Sequence, residues 1–242
     1  MNFRAESSLS FLRGLRSLIG REFNSLELRR IYDKFREFTM IPREAYVDNL
    51  LLAQRVAALP GCVIECGVWR GGMCAGLASL LGPQRNYYLF DSFEGLPEAQ
   101  DIDGEAALVW QKNKQSPHYY DNCTAKEDFA ARAMALSRCR SYHLMKGWFE
   151  DTIPGFTPPE PIALLRLDGD WYDSTMICLE SLFKHVIPGG LVLLDDYHTW
   201  DGCSRALHDF LSRQTATERI RSFGDICYLQ KLPPASGNKN QP

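Results

Sequence analysis

The sequence predicts a doubly wound α/β fold with a mainly parallel, seven-stranded sheet. Three observations lead to this fold class. Short apolar segments alternate with segments of helical periodicity. Several of the apolar segments end in glycine or in acidic residues, which is where parallel α/β sheets carry their ligand sites. Near the C-terminus, Phe223-Gly224-Asp225 separates two short apolar runs and predicts a hairpin, which adds an antiparallel strand.

The predicted elements follow one another in a regular order. Helices are expected over residues 25–37 and 43–58, before the first clear strand. The five predicted parallel strands are Val63–Cys66, Asn86–Asp91, Ser141–Met145, Ile162–Leu167 and Leu191–Leu194, and the hairpin strands are about Arg219–Ser222 and Ile226–Gln230. The intervening helices are Met73–Leu81, Ala125–Ser137, Ser174–His185 and Ser204–Arg213, and Pro188-Gly189-Gly190 is expected to turn the chain.

Length and composition indicate one ordinary domain with additions. The chain has 242 residues, of which 45% are hydrophobic and 24% charged. We assign residues 1–58 to an N-terminal helical extension, 59–232 to the main domain and 233–242 to a disordered tail. The polar stretch from Glu94 to about Thr124 is too long for a plain connection and is expected to be a lid or a binding segment.

The net charge and the cysteine pattern indicate which partners and which cellular compartment to expect. A formal net charge of −3 gives no electrostatic reason to expect a nucleic-acid partner. The eight cysteines form no CxxC pair and suit buried free thiols in a reducing compartment. The segment Met1–Phe23 lacks a signal peptide's apolar core and predicts an amphipathic helix for packing or homo-oligomer contacts. No apolar run is long enough to insert stably in a membrane, so a cytoplasmic location is expected.

The first strand opens into a glycine turn that suits a cofactor. Its spacing is G-x-x-x-G-G, which differs from the G-x-G-x-x-G that cradles a pyrophosphate. An acid at Glu65 and free backbone groups at Gly67 suit the ammonium and carboxylate of S-adenosylmethionine (SAM). Asp91, at the end of the second strand, can accept both hydroxyls of a ribose. Together these features predict an adenosine-containing cofactor, and the glycine spacing and the closing hairpin favour SAM over NAD.

Acidic residues end the fourth and fifth strands, which are neighbours in this fold. Asp168, Asp195 and Asp196 should therefore converge, and three carboxylates so close repel one another unless a cation compensates. An all-oxygen set suits Mg²⁺, Ca²⁺ or Mn²⁺. A cation held there would lower the pKa of neighbouring substrate hydroxyls. The alternative is that these acids cap helices or lie in solvent.

Five segments in the same order resemble the macrocin O-methyltransferase family, whose members methylate sugar hydroxyls on macrolide and aminocoumarin antibiotics. They are IECGVWRGG (64–72), FDSFEGLP (90–97), KGWFEDTIP (146–154), LRLDGDWYDST (165–175) and GGLVLLDDYHTWDGC (189–203). The resemblance implies a class I methyltransferase fold and an Mg²⁺ site at Asp168, Asp195 and Asp196. It also implies that the first two segments bind SAM, with Arg70, Gly71 and Ser92 among the contacts. Trp148 and Phe149 are expected beside the adenine, or else in the core.

The general base is the open question. Catechol methyltransferases place a lysine three residues after the first metal aspartate, and this position is Trp171 here. In the sugar enzymes the base resembles a histidine after the second strand, which makes His118 the candidate, acting beside Asp168. His198 is the second choice, and His143 is expected in the core.

The resulting hypothesis is metal-assisted methyl transfer from SAM to a hydroxyl of a vicinal diol, on a sugar of a natural product or on a glycan. The acceptor would be a small molecule or a glycan with neighbouring hydroxyls. Methylation of a catechol or other aromatic diol is the nearest alternative. An inactive SAM-binding protein and an NAD-dependent dehydrogenase are the more distant ones.

Overall fold

The computed structural model describes residues 24–214 and 217–233. The amphipathic helix expected before residue 24 and the tail expected after residue 233 lie outside the described residues. Seven strands form one sheet in the order β3-β2-β1-β4-β5-β7-β6. They are β1 Cys62–Cys66, β2 Tyr87–Asp91, β3 Tyr142–Lys146, β4 Ile162–Leu167, β5 Val186–Leu194, β6 Arg221–Phe223 and β7 Ile226–Gln230. Strands β1 to β5 pair in parallel, and β7 pairs antiparallel to β5 and β6, so the predicted fold class and hairpin are confirmed.

Helices cover both faces of this sheet. They are α1 Ser25–Phe35, α2 Arg43–Gln54, α3 Gly72–Leu81, α4 Glu105–Lys112, α5 Glu127–Ser137, α6 Phe149–Thr152, α7 Tyr172–Leu182 and α8 Asp201–Arg213. One core lies between the sheet and helices α1, α2, α3 and α5, and the other lies between the sheet and α6, α7 and α8. Consecutive strand residues face opposite cores, as Val63 and Ile64 do, because side chains alternate along a strand. Among the described residues, no helix combines the length and the apolar character that crossing a membrane requires.

The central strands β1 and β4 are buried along their whole length. Strands covered on both faces are expected to be continuous apolar runs. Glu65 and Arg166 are the exceptions, and their Cα atoms are register partners across the β1–β4 pair. The fold therefore places the buried carboxylate of Glu65 opposite the buried guanidinium of Arg166. Each residue lies one position before the end of its strand.

The fifth strand corrects the sequence prediction. We expected Pro188-Gly189-Gly190 to turn the chain before a strand at Leu191, whereas β5 begins at Val186 and runs through these residues. The register with β4 shifts at this point, as in a bulge. Gly189 has a φ of +87°, and a Cβ on Gly190 would come within 3.0 Å of the Ala163 carbonyl oxygen, so the two glycines let the strand bend without ending.

The eight cysteines are all free thiols, and six of them are buried. Burial raises the pKa of the Cys62 thiol to about 12. The prediction of free, mostly buried cysteines is confirmed.

Candidate functional site

A cavity of about 250 Å³ opens at the C-terminal ends of strands β1, β2, β4 and β5. This is the edge where ligands bind in open α/β sheets. Residues 38–42, between α1 and α2, and residues 95–97 and Cys123 close its sides. Nine of the predicted site residues line the cavity, namely Glu65, Gly67, Asp91, Ser92, Trp148, Phe149, Asp168, Asp195 and Asp196, whereas Arg70, Gly71 and His118 do not.

The backbone of Gly67 has a different task from the one expected. Its N–H donates to the Phe90 carbonyl over 2.9 Å, so that donor is not free for a ligand. Gly67 has a φ of +86°, and a Cβ there would collide with the backbone carbonyl of Asp168. Glycine is required here because the ends of β1 and β4 come so close together.

Glu65 lines the cavity and has one carboxylate oxygen without a hydrogen-bond partner in the described part of the chain. The side chain is 1% exposed, and its Oε1 is 2.9 Å from Nη1 of Arg166. Its Oε2 is buried and has no hydrogen-bond partner among the described residues. Such an atom is costly to leave unpaired, so it fits a positively charged group, such as the ammonium of SAM. Burial raises the pKa of this carboxyl group, against the opposing effect of Arg166.

Asp91 organises the loops around it. Its Oδ2 accepts hydrogen bonds from the backbone N–H groups of Val68 and Trp69 over 2.7 and 2.8 Å, and its Oδ1 accepts one from Phe93 over 2.6 Å. Each carboxylate oxygen has two lone pairs, so these three bonds leave one acceptor position, on Oδ1, for a ribose hydroxyl. Beside it, Ser92 bonds within its own turn through its hydroxyl, which donates to the Gly95 carbonyl over 2.9 Å.

Two residues assigned to the cofactor point elsewhere. The Arg70 guanidinium lies over the rings of Trp69 and Phe129, at 4.2 and 4.8 Å from their centroids. Gly71 precedes the first turn of α3 with a φ of +80°, and a Cβ there would crowd Ala130 of α5. Both residues pack between α3 and α5 and neither lines the cavity, so their contact with the cofactor stays a prediction.

Arg166, which the sequence analysis did not single out, lies at the centre of the site. It is fully buried and ion-paired with Glu65, Asp168 and Asp195 at 2.8 to 2.9 Å. Its Nε donates to Oδ1 of Asn49 over 3.1 Å. The signal was present in the sequence, because a lone arginine inside the apolar run IALLRL must be buried and must therefore have partners.

Acidic side chains gather beside it. Carboxylate oxygens of Asp168, Asp170 and Asp196 lie within 4.8 Å of one another, and this is the group of possible metal ligands found among the described residues. Asp195 lines the cavity but directs Oδ1 to Nη2 of Arg166 at 2.8 Å and to Nδ2 of Asn49 at 3.2 Å. The structure thus brings together two of the three predicted carboxylates and adds Asp170 to them. Asp195 and Asp196 are consecutive, so their side chains diverge.

The electrostatics of the cluster favour a cation. Burial, followed by the charge of Asp168, raises the pKa of Asp170 to about 8. Burial also raises the pKa of Asp196, and the charges of Asp170 and Asp168 add to this effect. A divalent ion would relieve this repulsion, and an all-carboxylate donor set fits Mg²⁺.

None of the chain's five histidines lines the cavity. His118 is exposed, and its backbone carbonyl accepts a hydrogen bond from Nε1 of Trp110 over 3.1 Å. His198 lies 2.8 Å from the Ser222 hydroxyl through Nε2. The expectation that His143 is a core residue is wrong, because it lies exposed on the edge strand β3 and stacks on Tyr88 with a centroid distance of 4.8 Å.

Comparison with known proteins agrees with this geometry. Residues 34–230 match the family model of macrocin O-methyltransferase (TylF). The 8-demethyl-8-(2,3-dimethoxy-α-L-rhamnosyl)-tetracenomycin-C 4'-O-methyltransferase of Streptomyces olivaceus is 32% identical, and the match covers 81% of this chain and 74% of that protein. Mycinamicin III 3''-O-methyltransferase of Micromonospora griseorubida is 33% identical over 67% of this chain and 65% of its own length.

A solved structure shows the same likeness. The structure of the O-methyltransferase NovP superimposes with a TM-score of 0.67 at 25% identity, and the match covers 81% of this chain and 83% of that one. The chain belongs to the macrocin O-methyltransferase family and is a SAM-dependent O-methyltransferase with a class I methyltransferase fold.

Proposed function

We propose that the protein transfers the methyl group of SAM to one hydroxyl of a vicinal diol on a sugar of a natural product or a glycan, with the help of a divalent cation. The names of the two relatives, a rhamnosyl 4'-O- and a mycinamicin 3''-O-methyltransferase, support a sugar hydroxyl as acceptor. The observation that carries the proposal is that one cavity contains both the cofactor loops and the carboxylate cluster.

SAM, when bound, supplies an electrophilic methyl group at its sulfonium. The unpaired Oε2 of Glu65 is suited to its ammonium, and Oδ1 of Asp91 to a ribose hydroxyl. Trp148 and Phe149 line the same cavity and suit the adenine ring. These residues hold the donor in one orientation, and such positioning of two reactants contributes much of the rate enhancement of a transfer reaction.

Asp168, Asp195 and Asp196 are the residues that we propose hold the cation. Asp195 has its Oδ1 fixed by Arg166 and Asn49, and no described residue hydrogen-bonds to its second oxygen. A cation, when bound, supplies a lowered pKa to the hydroxyls beside it and offsets the negative charge that develops on the attacking oxygen.

Asp170 is the residue to which we assign the proton of the attacking hydroxyl, in preference to His118. Its Oδ1 accepts a hydrogen bond from Nε1 of Trp200 over 2.8 Å, which fixes the carboxylate within the cavity. His118 lies outside the cavity lining and its role stays a prediction.

Calorimetric titration tests the proposal. The protein should bind S-adenosylhomocysteine, and it should bind Mg²⁺ in a separate event that EDTA abolishes. Asp196→Asn should lose the Mg²⁺ event, while Asp225→Asn, at the exposed hairpin turn, should retain it. Full Mg²⁺ binding in Asp196→Asn would overturn the assignment of Asp196 as a metal ligand, and wild-type activity that is unchanged by EDTA would overturn the metal role.

The acceptor is tested with a panel of compounds under saturating SAM. A glycoside with a free vicinal diol should be methylated, whereas the same glycoside with one hydroxyl of the pair already blocked should react poorly. Catechol serves as the comparison for an aromatic diol. Preferential methylation of catechol would replace the sugar proposal by the aromatic one.

A further inference from the structure

A single guanidinium connects the proposed cofactor site with the proposed cation site. Nη1 of Arg166 is 2.9 Å from Oε1 of Glu65 and 2.8 Å from Oδ2 of Asp168. Nη2 of the same group is 2.8 Å from Oδ1 of Asp195. Arg166 therefore touches the acid proposed for the ammonium of SAM and two of the three acids proposed for the metal.

The surroundings fix this guanidinium in one position. Arg166 is 0% exposed, and its Nε donates to Asn49 of α2, whose side-chain amide in turn donates to Oδ1 of Asp195. Burial lowers the pKa of an arginine, but the three carboxylates outweigh this effect, so the net pKa of Arg166 is raised and the group stays charged. An arginine suits this place because its planar fork donates in several fixed directions, which the point charge of a lysine cannot do.

We propose that Arg166 is a positioning residue for both ligand sites at once, holding Glu65 in the orientation that receives the cofactor and Asp168 and Asp195 in the orientation that receives the cation. The proposal rests on the function proposed above. Arg166 lines the same cavity, and the role that we assign to it is exerted through the three acids.

A positioning role and a purely electrostatic role of Arg166 predict opposite changes in cation affinity when the arginine is replaced. Removing a positive charge beside Asp168 and Asp195 should by itself attract a cation more strongly. If Arg166 serves to position the acids, its removal should instead weaken cation binding, because the carboxylates lose the partner that fixes their geometry. The same substitution should also weaken the cofactor.

Calorimetry on Arg166→Met and Arg166→Lys tests this. Binding of S-adenosylhomocysteine is measured without metal, and binding of Mg²⁺ is measured without cofactor. We expect Arg166→Met to weaken each by about tenfold or more, as loss of a charged hydrogen-bonding partner does, and Arg166→Lys to restore part of each affinity. Arg132→Met, at an exposed arginine of α5 that pairs with Asp128 and lies over the ring of Phe129, should change neither. Tighter Mg²⁺ binding in Arg166→Met, or a loss confined to one ligand, would overturn the proposal.

A double substitution separates positioning from general damage to the fold. If Arg166 acts on the cofactor through Glu65, Arg166→Met should cost little further S-adenosylhomocysteine affinity in a Glu65→Gln background, whereas damage to the fold would add to the loss. Additive losses would contradict the proposal. If circular dichroism shows that Arg166→Met does not fold, Asn49→Ala is the alternative variant, since it removes the amide that holds Nε and keeps the arginine. We expect it to weaken the binding of both ligands by a smaller factor. Unchanged affinities would count against the proposal.

The outcome for the wild-type protein keeps the two hypotheses apart. A wild-type protein that binds neither S-adenosylhomocysteine nor Mg²⁺ contradicts the proposed function. A wild-type protein that binds both, with Arg166 variants that bind both equally well, contradicts only the positioning role.

Discussion

The indole of Trp200 donates from Nε1 to Oδ1 of Asp170 over 2.8 Å, and the same ring contacts Trp110 in the segment that covers the cavity. The centroids of Trp110 and Trp200 are 5.9 Å apart, and Trp171 completes the cluster at 5.4 Å from Trp200 and 6.2 Å from Trp110. Helix α4, which carries Trp110, is thereby packed against the residue that orients Asp170. The segment from Glu94 to Thr124 contains α4, a short 3₁₀ helix at Asp101–Asp103 and a turn at Tyr120–Cys123 whose residues have positive φ.

The first prediction concerns the base. We expect Asp170→Asn to lower kcat by at least about a hundredfold, since general-base catalysis contributes on the order of 10² to 10⁴. We expect His118→Ala to keep most of the activity, because that side chain does not line the cavity. Initial rates with saturating SAM and Mg²⁺ decide between them. The reverse pattern would return the role to His118.

The second prediction concerns the third metal ligand. Asp195→Asn should weaken Mg²⁺ binding by about tenfold or more, whereas Asp170→Asn should have a smaller effect. This is expected if Asp195, and not Asp170, coordinates the ion beside Asp168 and Asp196. Equilibrium titration of metal-free protein with Mg²⁺ measures both. A larger loss in Asp170→Asn would mean that the group formed by Asp168, Asp170 and Asp196 is itself the cation site.

The third prediction concerns Asp91. An amide in its place has one acceptor oxygen in place of two, so it cannot serve three backbone N–H groups and a ribose together. We expect Asp91→Asn to weaken S-adenosylhomocysteine binding about tenfold to a hundredfold, which corresponds to the loss of one or two charged hydrogen bonds. Glu94→Gln, an exposed acid in the same loop, is the control. Unchanged affinity in Asp91→Asn would refute the assignment of this residue to the ribose.

The fourth prediction concerns pH and stability. The pKa of Asp170 is raised to about 8 in the folded protein, and an unfolded aspartate has a pKa of about 3.9. Because the folded state holds this proton more tightly, the resulting stabilisation is complete below about pH 4 and is lost as the pH rises through about 8. The Tm of metal-free protein should therefore fall across this range.

Thermal melts with EDTA and with Mg²⁺ measure this effect. Mg²⁺ should raise the Tm more at about pH 8 than at about pH 6, because an ionised cluster binds the cation better. In Asp170→Asn the fall in Tm with pH should be shallower. A Tm of the metal-free protein that rises with pH would show that the cluster is not destabilised by its own charge.

The sequence was sufficient for the architecture and for the location of the site, because both follow from periodicity and from which residues end each strand. It was not sufficient for the pairing of charges inside the site. Arg166 and Asn49 lie 117 residues apart along the chain, and only the folded register brings them together. The direction of the Asp195 side chain and the exposure of His143 depend on three-dimensional neighbours in the same way.

The contacts of Asn49 restrict where segments can be exchanged between members of this family. Helix α2 belongs to the segment that a boundary drawn from the sequence would treat as a separate cap, yet its Asn49 bonds to both Arg166 and Asp195. A chimaera made to alter acceptor choice by swapping everything before the first strand would therefore also swap a residue that supports the charged centre. A junction placed between α1 and α2 would keep the native pairing of Asn49 with its partners on the sheet.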